Sequence, residues 1–200
     1  KQKALAAEQD RLNKLKKDLE ASSARLAELE KMMADKDAAM KKLKETLTKS
    51  LKAFEGKGLT VTEKDGKVYV SMENKLLFES GSWTVGSEGK KAVDLVGKVL
   101  GDNPEISVLI EGHTDNDKIT GTIGGGVENN WDLSTKRATA IVNILSANAK
   151  VKKENLTAAG RGEFAPLMSN DTAEGKAKNR RIEIILTPKL DEISKMLNEL

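Results

Sequence analysis

Leu5, Leu12, Leu19, Leu26, Met33, Met40, Leu47 and Phe54 stand seven residues apart without a break, through a stretch that contains neither glycine nor proline. An apolar repeat of that period marks a coiled-coil core position. The companion positions three residues on read Glu8, Leu15, Ser22, Leu29, Lys36, Leu43 and Ser50, so only alternate heptads hold a full apolar pair. Ala, Leu, Lys and Glu dominate the segment and are good helix formers. The pattern predicts one helix over residues 1–55, about 80 Å long at 1.5 Å per residue. Two arrangements fit it: self-association as a coiled coil or spacer, or an amphipathic helix folded back on a globular domain. A strict seven-residue repeat is narrower than a globular face, which favours self-association.

Gly56 and Gly58 break the repeat, and from Leu59 the period moves toward two, placing a domain boundary near residue 56 and a globular domain over 56–190. Leu59 and Val61, then Val68, Val70 and Met72, alternate around Lys64-Asp65-Gly66 and predict a β-hairpin. Leu76 to Phe78 read as a further short strand. Ser87 is placed to cap a helix carrying Val93, Val96, Val99 and Leu100, which stops at Gly101 and Pro104. Ile106 to Ile110 form a buried strand, and a second helix starts at Asp132 or Ser134 with Ala138, Ile141, Val142 and Leu145 on its apolar face. Leu156–Gly160 and Arg181–Leu186 supply two more strands, with the basic segment KAKNRR in the loop between them. Strands alternating with helices give an α+β fold, a mixed sheet with helices on one side. Leu190, Ile193, Met196, Leu197 and Leu200 predict an amphipathic helix over 191–200.

Composition narrows the function. A hydrophobic content of 38% in 200 residues suits one sizeable core. Charged residues, 32% of the chain, nearly balance at +3, and aromatic residues are 3%, so neither a basic field nor stacking platforms point to nucleic acid. With no cysteine there is no disulfide frame and no thiolate chemistry, which suits a reducing or an oxidising compartment alike. No run approaches the roughly 18 apolar residues that span a bilayer. The start at Lys1 leads us to expect a trimmed or processed soluble piece.

The one histidine lies in EGHTD, residues 111–115. A zinc site needs three or four ligands, and His113 has no second histidine to work with, so no metal site is expected. No GxSxG elbow or other nucleophile signature accompanies it, and the expectation for His113 is a strand-end side chain hydrogen-bonded within the fold. GTIGGG, residues 121–126, lacks a following GK[ST] and reads as a surface loop, with 118–128 mobile at a site's rim. Glu111, Asp115 and Asp117 supply carboxylates, but nothing pairs them as acid and base, and neither catalysis nor a cofactor is expected.

Arginine is used sparingly: four of the six, Arg137, Arg161, Arg180 and Arg181, fall between residues 137 and 181. The planar guanidinium pairs bidentately with carboxylates. Internal salt bridges tying down the last strand suit Arg161 and Arg181. Arg137 lies one turn inside a helix starting near Asp132, where free N–H groups would favour an anion. Asp115, past the end of a buried strand, offers the opposite charge, so a zwitterionic amino-acid head would match both.

IEGHTDN, NNWDLSTKRA, GRGEFAP and AKNRRIEI, in that order, resemble the OmpA-like peptidoglycan-binding domain over roughly residues 60–188. The resemblance implies a βαβαββ-type sandwich and non-covalent binding of the diaminopimelate residue of the peptidoglycan stem peptide. It assigns the ligand's amine to Asp115 and its carboxylate to Arg137. Thr114, Asn130, Leu133 and Arg180 match further pocket positions, and Glu79 to Ser82 would form the remaining wall. It implies an envelope anchor in the periplasm, associated with the outer membrane through a segment absent from this chain, with the long helix as spacer or homo-oligomeriser. The segment from Asp115 to Asn130 is longer than in porin-type members, and NNWDLS is closer to the flagellar-motor stator members of the same superfamily. A stator component using the same wall-binding domain is therefore the alternative. Lys176 stands where many members carry arginine.

Overall fold

A computed structural model describes residues 2–79, 81–120 and 123–198. Ser80 of the expected pocket wall, Gly121 and Thr122 of the glycine-rich loop, and Leu200 of the expected final helix lie outside them. The chain divides into two compact units, Met40–Lys189 and a second formed by Lys1–Ala39 with Leu190–Leu200.

The larger unit is built on a five-stranded mixed sheet ordered β1-β2-β5-β3-β4. Strands β1 (Leu59–Lys64) and β2 (Lys67–Glu73) form the expected antiparallel hairpin. Its turn residues Asp65 and Gly66 both take positive φ, 52° and 70°. That is the twist a two-residue Asp-Gly turn supplies to match paired strands. β3 (Ile106–His113) runs antiparallel to the central β5 (Arg181–Pro188) and parallel to β4 (Leu156–Gly160). The parallel pair requires a crossover, made by the helix α4 (Asn130–Ser146). From β2 onward the chain follows the βαβαββ order, with β1 added at the edge.

Ile106, Val108 and Ile110 of β3, and Ile182, Ile184 and Leu186 of β5, are buried at alternate positions, as a strand with one covered face requires. They join one core with Val93, Val96 and Leu100 of the helix α3 (Ser87–Gly101) and with Ala138, Ile141 and Leu145 of α4. The same core contains Met40, Leu43, Leu47, Leu51 and Phe54. The sequence puts the domain boundary near residue 56, yet the apolar residues from Met40 onward already belong to the core of the larger unit. A seven-residue repeat cannot show which of its members a neighbouring sheet will cover.

Several elements differ from the sequence reading. Leu76 to Phe78 is not a strand: Asn74–Leu77 form one helical turn, α2, and only Phe78 bridges to Val85. Asn74 N–H donates to the Arg180 carbonyl at 2.9 Å, which turns the chain off the sheet edge. Ser87 is the first residue of α3, and the cap position is Gly86, without a side-chain hydrogen bond. The cap of α4 is Asn129, whose side chain accepts from Trp131 and Asp132 N–H at 2.9 and 3.1 Å, so the helix begins before Asp132 or Ser134. KAKN of the basic segment, residues 176–179, lies in a short helix, α5 (Ala173–Asn179). In the glycine-rich loop Gly124, Gly125 and Gly126 all take positive φ, but Val127 is buried.

The helix α1 (Gln2–Ser50) enters the smaller unit with its residues up to Ala39 and keeps Leu5, Leu12, Leu19, Leu26 and Met33 exposed there. Leu29 and Ile193 are buried, the latter on the final helix α6 (Asp191–Asn198), and Arg25 Nη2 donates to the Met196 carbonyl at 2.8 Å. Among the described residues, no helix is long and apolar enough to cross a membrane.

Glycine sets the approach of α4 to the sheet. A Cβ on Gly112 would stand 2.0 Å from the Ser134 carbonyl oxygen, and one on Gly160 2.2 Å from Thr135 Oγ1. Backbone oxygen cannot swing away, so Gly112→Ala must push α4 outward. We expect a loss of about 1–3 kcal/mol or somewhat more, which at roughly 2–4 °C per kcal/mol for a chain of this size is readable in a thermal melt. A melting temperature equal to wild type would mean the contact is looser than described.

Candidate functional site

Four loops and helix starts converge where β3 ends. Thr114 N–H donates to the Gly162 carbonyl at 2.9 Å and Arg161 N–H to the Gly112 carbonyl at 2.9 Å, stitching GRGEFAP to GHTD. Ser134 Oγ, fully buried on α4, accepts from Gly162 N–H at 3.1 Å. Asn179, also fully buried, accepts from Leu167 and Met168 N–H at 2.7 and 3.0 Å and fixes the chain entering β5. These contacts bring the four motifs to one edge of the sheet.

Asp115 is 6% exposed. Its Oδ1 accepts from Asp117 N–H at 3.1 Å, and its Oδ2 is ion-paired with Arg180 Nη1. Thr114 Oγ1 donates to the Asp115 carbonyl at 2.9 Å, so the threonine shapes the backbone of the loop. Asn130 Nδ2 donates to the Asp117 carbonyl at 3.1 Å and to Glu163 Oε2 at 2.7 Å. It therefore ties the start of α4 to both flanking loops. Leu133 is buried one turn further on.

Arg137 is 5% exposed and donates from Nε to the Ser82 carbonyl at 2.9 Å. Its guanidinium carbon lies 5.2 Å from the centre of the Phe78 ring. Burial pushes its pKa down to about 10, with Arg180 acting in the same direction and Asp115 opposing. It stays cationic at neutral pH. Its Nη edge makes no hydrogen bond among the described residues, which leaves the bidentate side available to a carboxylate.

One part of the sequence argument is corrected. Arg137 stands two turns inside α4, not one, and the first N–H groups of the helix are occupied by Asn129. The cationic character of the site thus rests on guanidinium groups and not on a free helix start. Asp115 lies between two arginines, Arg180 bonded to it and Arg137 within electrostatic reach, so the cluster keeps a net positive charge.

The remaining charged residues sort differently from expectation. Arg181 is buried, with Nε on Glu183 Oε1 at 2.7 Å and further donations to the Asn179 and Ala165 carbonyls, both 3.1 Å. Arg161 is exposed and has no ion pair among the described residues, so the salt bridge expected of it is not found. Lys176 Nζ reaches Asp117 Oδ1 at 2.6 Å, and that hydrogen bond raises the lysine pKa. His113 is 2% exposed, and neither ring nitrogen has a hydrogen-bond partner among the described residues, contrary to the hydrogen-bonded side chain expected. Burial drives its pKa to about 3, with Arg181 and Arg161 pushing the same way, so the imidazole is neutral.

Ser82, one of the residues expected in the pocket wall, meets Arg137 through its carbonyl, whereas sequence reasoning missed Phe78, Glu163 and the Trp131–Phe164 stack, whose ring centres are 5.2 Å apart at the exposed rim. GRGEFAP contained the signal for two of these, an acid and an aromatic beside a glycine of positive φ. Their partners lie 33 residues away in the chain and could not be paired by spacing.

Motility protein B of Bacillus subtilis is 34% identical over 120 residues, covering 60% of this chain and 45% of that protein. The probable lipoprotein YiaD of Escherichia coli is 35% identical over 133 residues, covering 66% and 57%. The chain thus spans about half the length of these curated relatives. Among solved structures, the cell wall anchor of the T6SS from Pseudomonas aeruginosa superposes with a TM-score of 0.64 at 28% identity, covering 72% of this chain and 97% of that one. Residues 77–180, more than half of the chain and the segment that holds the convergent motifs, match the OmpA family. On that match and the five-stranded sheet that carries it, the chain belongs to the OmpA family.

Proposed function

We propose that the domain binds peptidoglycan non-covalently, through the diaminopimelate residue of the stem peptide, and anchors an envelope protein to the cell wall. The observation that carries this reading is the buried juxtaposition of Asp115 with Arg137, whose Nη edge is free of hydrogen bonds among the described residues. A zwitterionic head needs one anion and one cation at the distance separating an ammonium from a carboxylate on the same carbon. Here Arg137 receives the carboxylate. The ammonium joins or displaces Arg180 at Asp115, and Arg180, 40% exposed, has room to swing away. Thr114, Asn130 and Leu133 shape the pocket by holding its loops. As in the wall anchor it resembles, the bound wall is held and not cut. A periplasmic location follows from this reading, and association with the outer membrane is the attachment we propose, supported by the likeness to a probable lipoprotein.

The test is a pull-down with purified sacculi, with and without free meso-diaminopimelate. Binding that the free diamino acid competes away is the expected result. Binding indifferent to it would place recognition elsewhere on the wall.

The similarity to Motility protein B favours a second reading, in which the same pocket holds a motor stator against the wall. In either setting the exposed heptad residues Leu5, Leu12, Leu19, Leu26 and Met33 suit a helix that associates with another copy. Removing residues 1–39 is expected to lower the oligomeric state in sedimentation while leaving the thermal transition of Met40–Lys189 cooperative. A monomer before and after the deletion would sink the self-association.

A further inference from the structure

The face of the sheet turned away from α3 and α4 carries a second cluster with no part in the pocket above. In the β3–β5 register Glu111 stands directly opposite Glu183, and His113 opposite Arg181. Two carboxylates facing each other across adjacent strands repel, so the pair calls for a cation between them. Arg181 supplies only half of one: its Nε binds Glu183 Oε1 at 2.7 Å, leaving Oε2 aimed elsewhere. Glu111 has no lysine or arginine partner among the described residues.

Both free carboxylate oxygens converge on the histidine. His113 Nε2 lies 3.4 Å from Glu111 Oε2 and 3.9 Å from Glu183 Oε2. The imidazole is 2% exposed with neither nitrogen hydrogen-bonded, an arrangement that costs about 1–3 kcal/mol for an unsatisfied buried polar group. One atom from each of the three residues can be chosen so that all lie within 4.8 Å of one another. Ligand atoms about 2.0–2.1 Å from a tetrahedral metal ion are roughly 3.3 Å apart, so the Glu111 oxygen at 3.4 Å from the imidazole nitrogen already fits, and Glu183, at 3.9 Å, must draw in on the ion. The cluster opens on a cavity of about 550 Å³ also lined by Tyr69, Ser71 and Leu167, with space for water to complete the coordination.

We infer that Glu111, His113 and Glu183 bind a divalent transition-metal ion, with zinc the best match to one imidazole and two carboxylates. A hard ion such as calcium or magnesium would prefer an all-oxygen set to a buried imidazole. Arg181 positions Glu183 by holding its other oxygen, as an outer hydrogen-bond partner orients a ligand. The ion joins the end of β3 to the start of β5, through His113 one residue before Thr114 and Glu183 three residues after Arg180. It lies on the strands that present the wall-binding pocket, but its binding does not depend on what that pocket recognises.

The experiment is calorimetric titration of the chelator-treated chain with Zn²⁺, paired with cobalt substitution read by absorption in the visible range. One equivalent of Zn²⁺ should bind, and Co²⁺ should give the intense bands of a low-symmetry nitrogen–oxygen site. Glu111→Gln and Glu183→Gln, near-isosteric and checked for folding by circular dichroism, should each weaken Zn²⁺ binding at least tenfold. Metal-free Glu111→Gln should melt no lower than metal-free wild type, since it removes the carboxylate repulsion, yet gain less from added Zn²⁺. Absence of Zn²⁺ binding, or binding of equal strength in both folded variants, would overturn the assignment. His113→Ala is less decisive because it also empties a buried position.

Discussion

Asp115→Ala and Arg137→Ala are each expected to weaken binding to sacculi tenfold or more while the protein stays folded. Each change leaves one charge of the ligand's head without its partner in a largely desolvated site, and such truncations cost about 2–5 kcal/mol, at about 1.4 kcal/mol per tenfold in affinity. The effect should appear in the dissociation constant from a sacculus or diaminopimelate titration. Arg137→Ala also loses packing over Phe78, so its affinity must be compared at matched folded fraction, whereas Asp115→Asn keeps the acceptor for Asp117 N–H while removing the charge and the acceptor that faces Arg180. The double variant should lose less than the sum, because both groups hold one small head. A folded Asp115→Ala chain that bound sacculi like wild type would end the proposal at its centre.

Leu47→Ala should lower stability by about 2–5 kcal/mol, because Leu47 is fully buried in the core of the larger unit. Leu12→Ala, at an equivalent heptad position but 52% exposed, should leave the denaturation of that unit unchanged. Equilibrium unfolding in denaturant, followed at concentrations above and below any association, separates the two. If Leu47→Ala were as mild as Leu12→Ala, the end of α1 would not belong to the core. The same reasoning sets the cut for truncation: removal of residues 1–55 would take five core residues with it, whereas removal of 1–39 takes none of them.

Local pattern was legible wherever a single segment carried its own signal. Asp65-Gly66 declared the hairpin, the succession of strands and helices declared a mixed sheet with helices on one side, and the four motifs identified the family and led to Asp115 and Arg137 as the proposed contacts. Leu76 to Phe78 misled because three apolar residues are too few to distinguish a strand from a helical turn. Asn129 was passed over as a cap because Asp132 and Ser134 nearby are of equally suitable type.

Partnership was decided by the tertiary structure. The heptad repeat shows period but not cover, and only the tertiary packing leaves Leu5, Leu12, Leu19, Leu26 and Met33 exposed while it buries Met40, Leu47 and Phe54. Arg180 stands 65 residues from Asp115, and their ion pair exists because β5 runs antiparallel to β3 and starts where that loop begins. Glu111 and Glu183 illustrate the same limit: counting histidines and cysteines argued against a metal, while strand pairing set two distant acids opposite one another beside an unpartnered imidazole. Side-chain period is a property of neighbouring residues, so the chain expresses it directly. Which charge meets which depends on strand register and on glycines such as Gly112 that admit close approach, and these are settled only when the whole core closes.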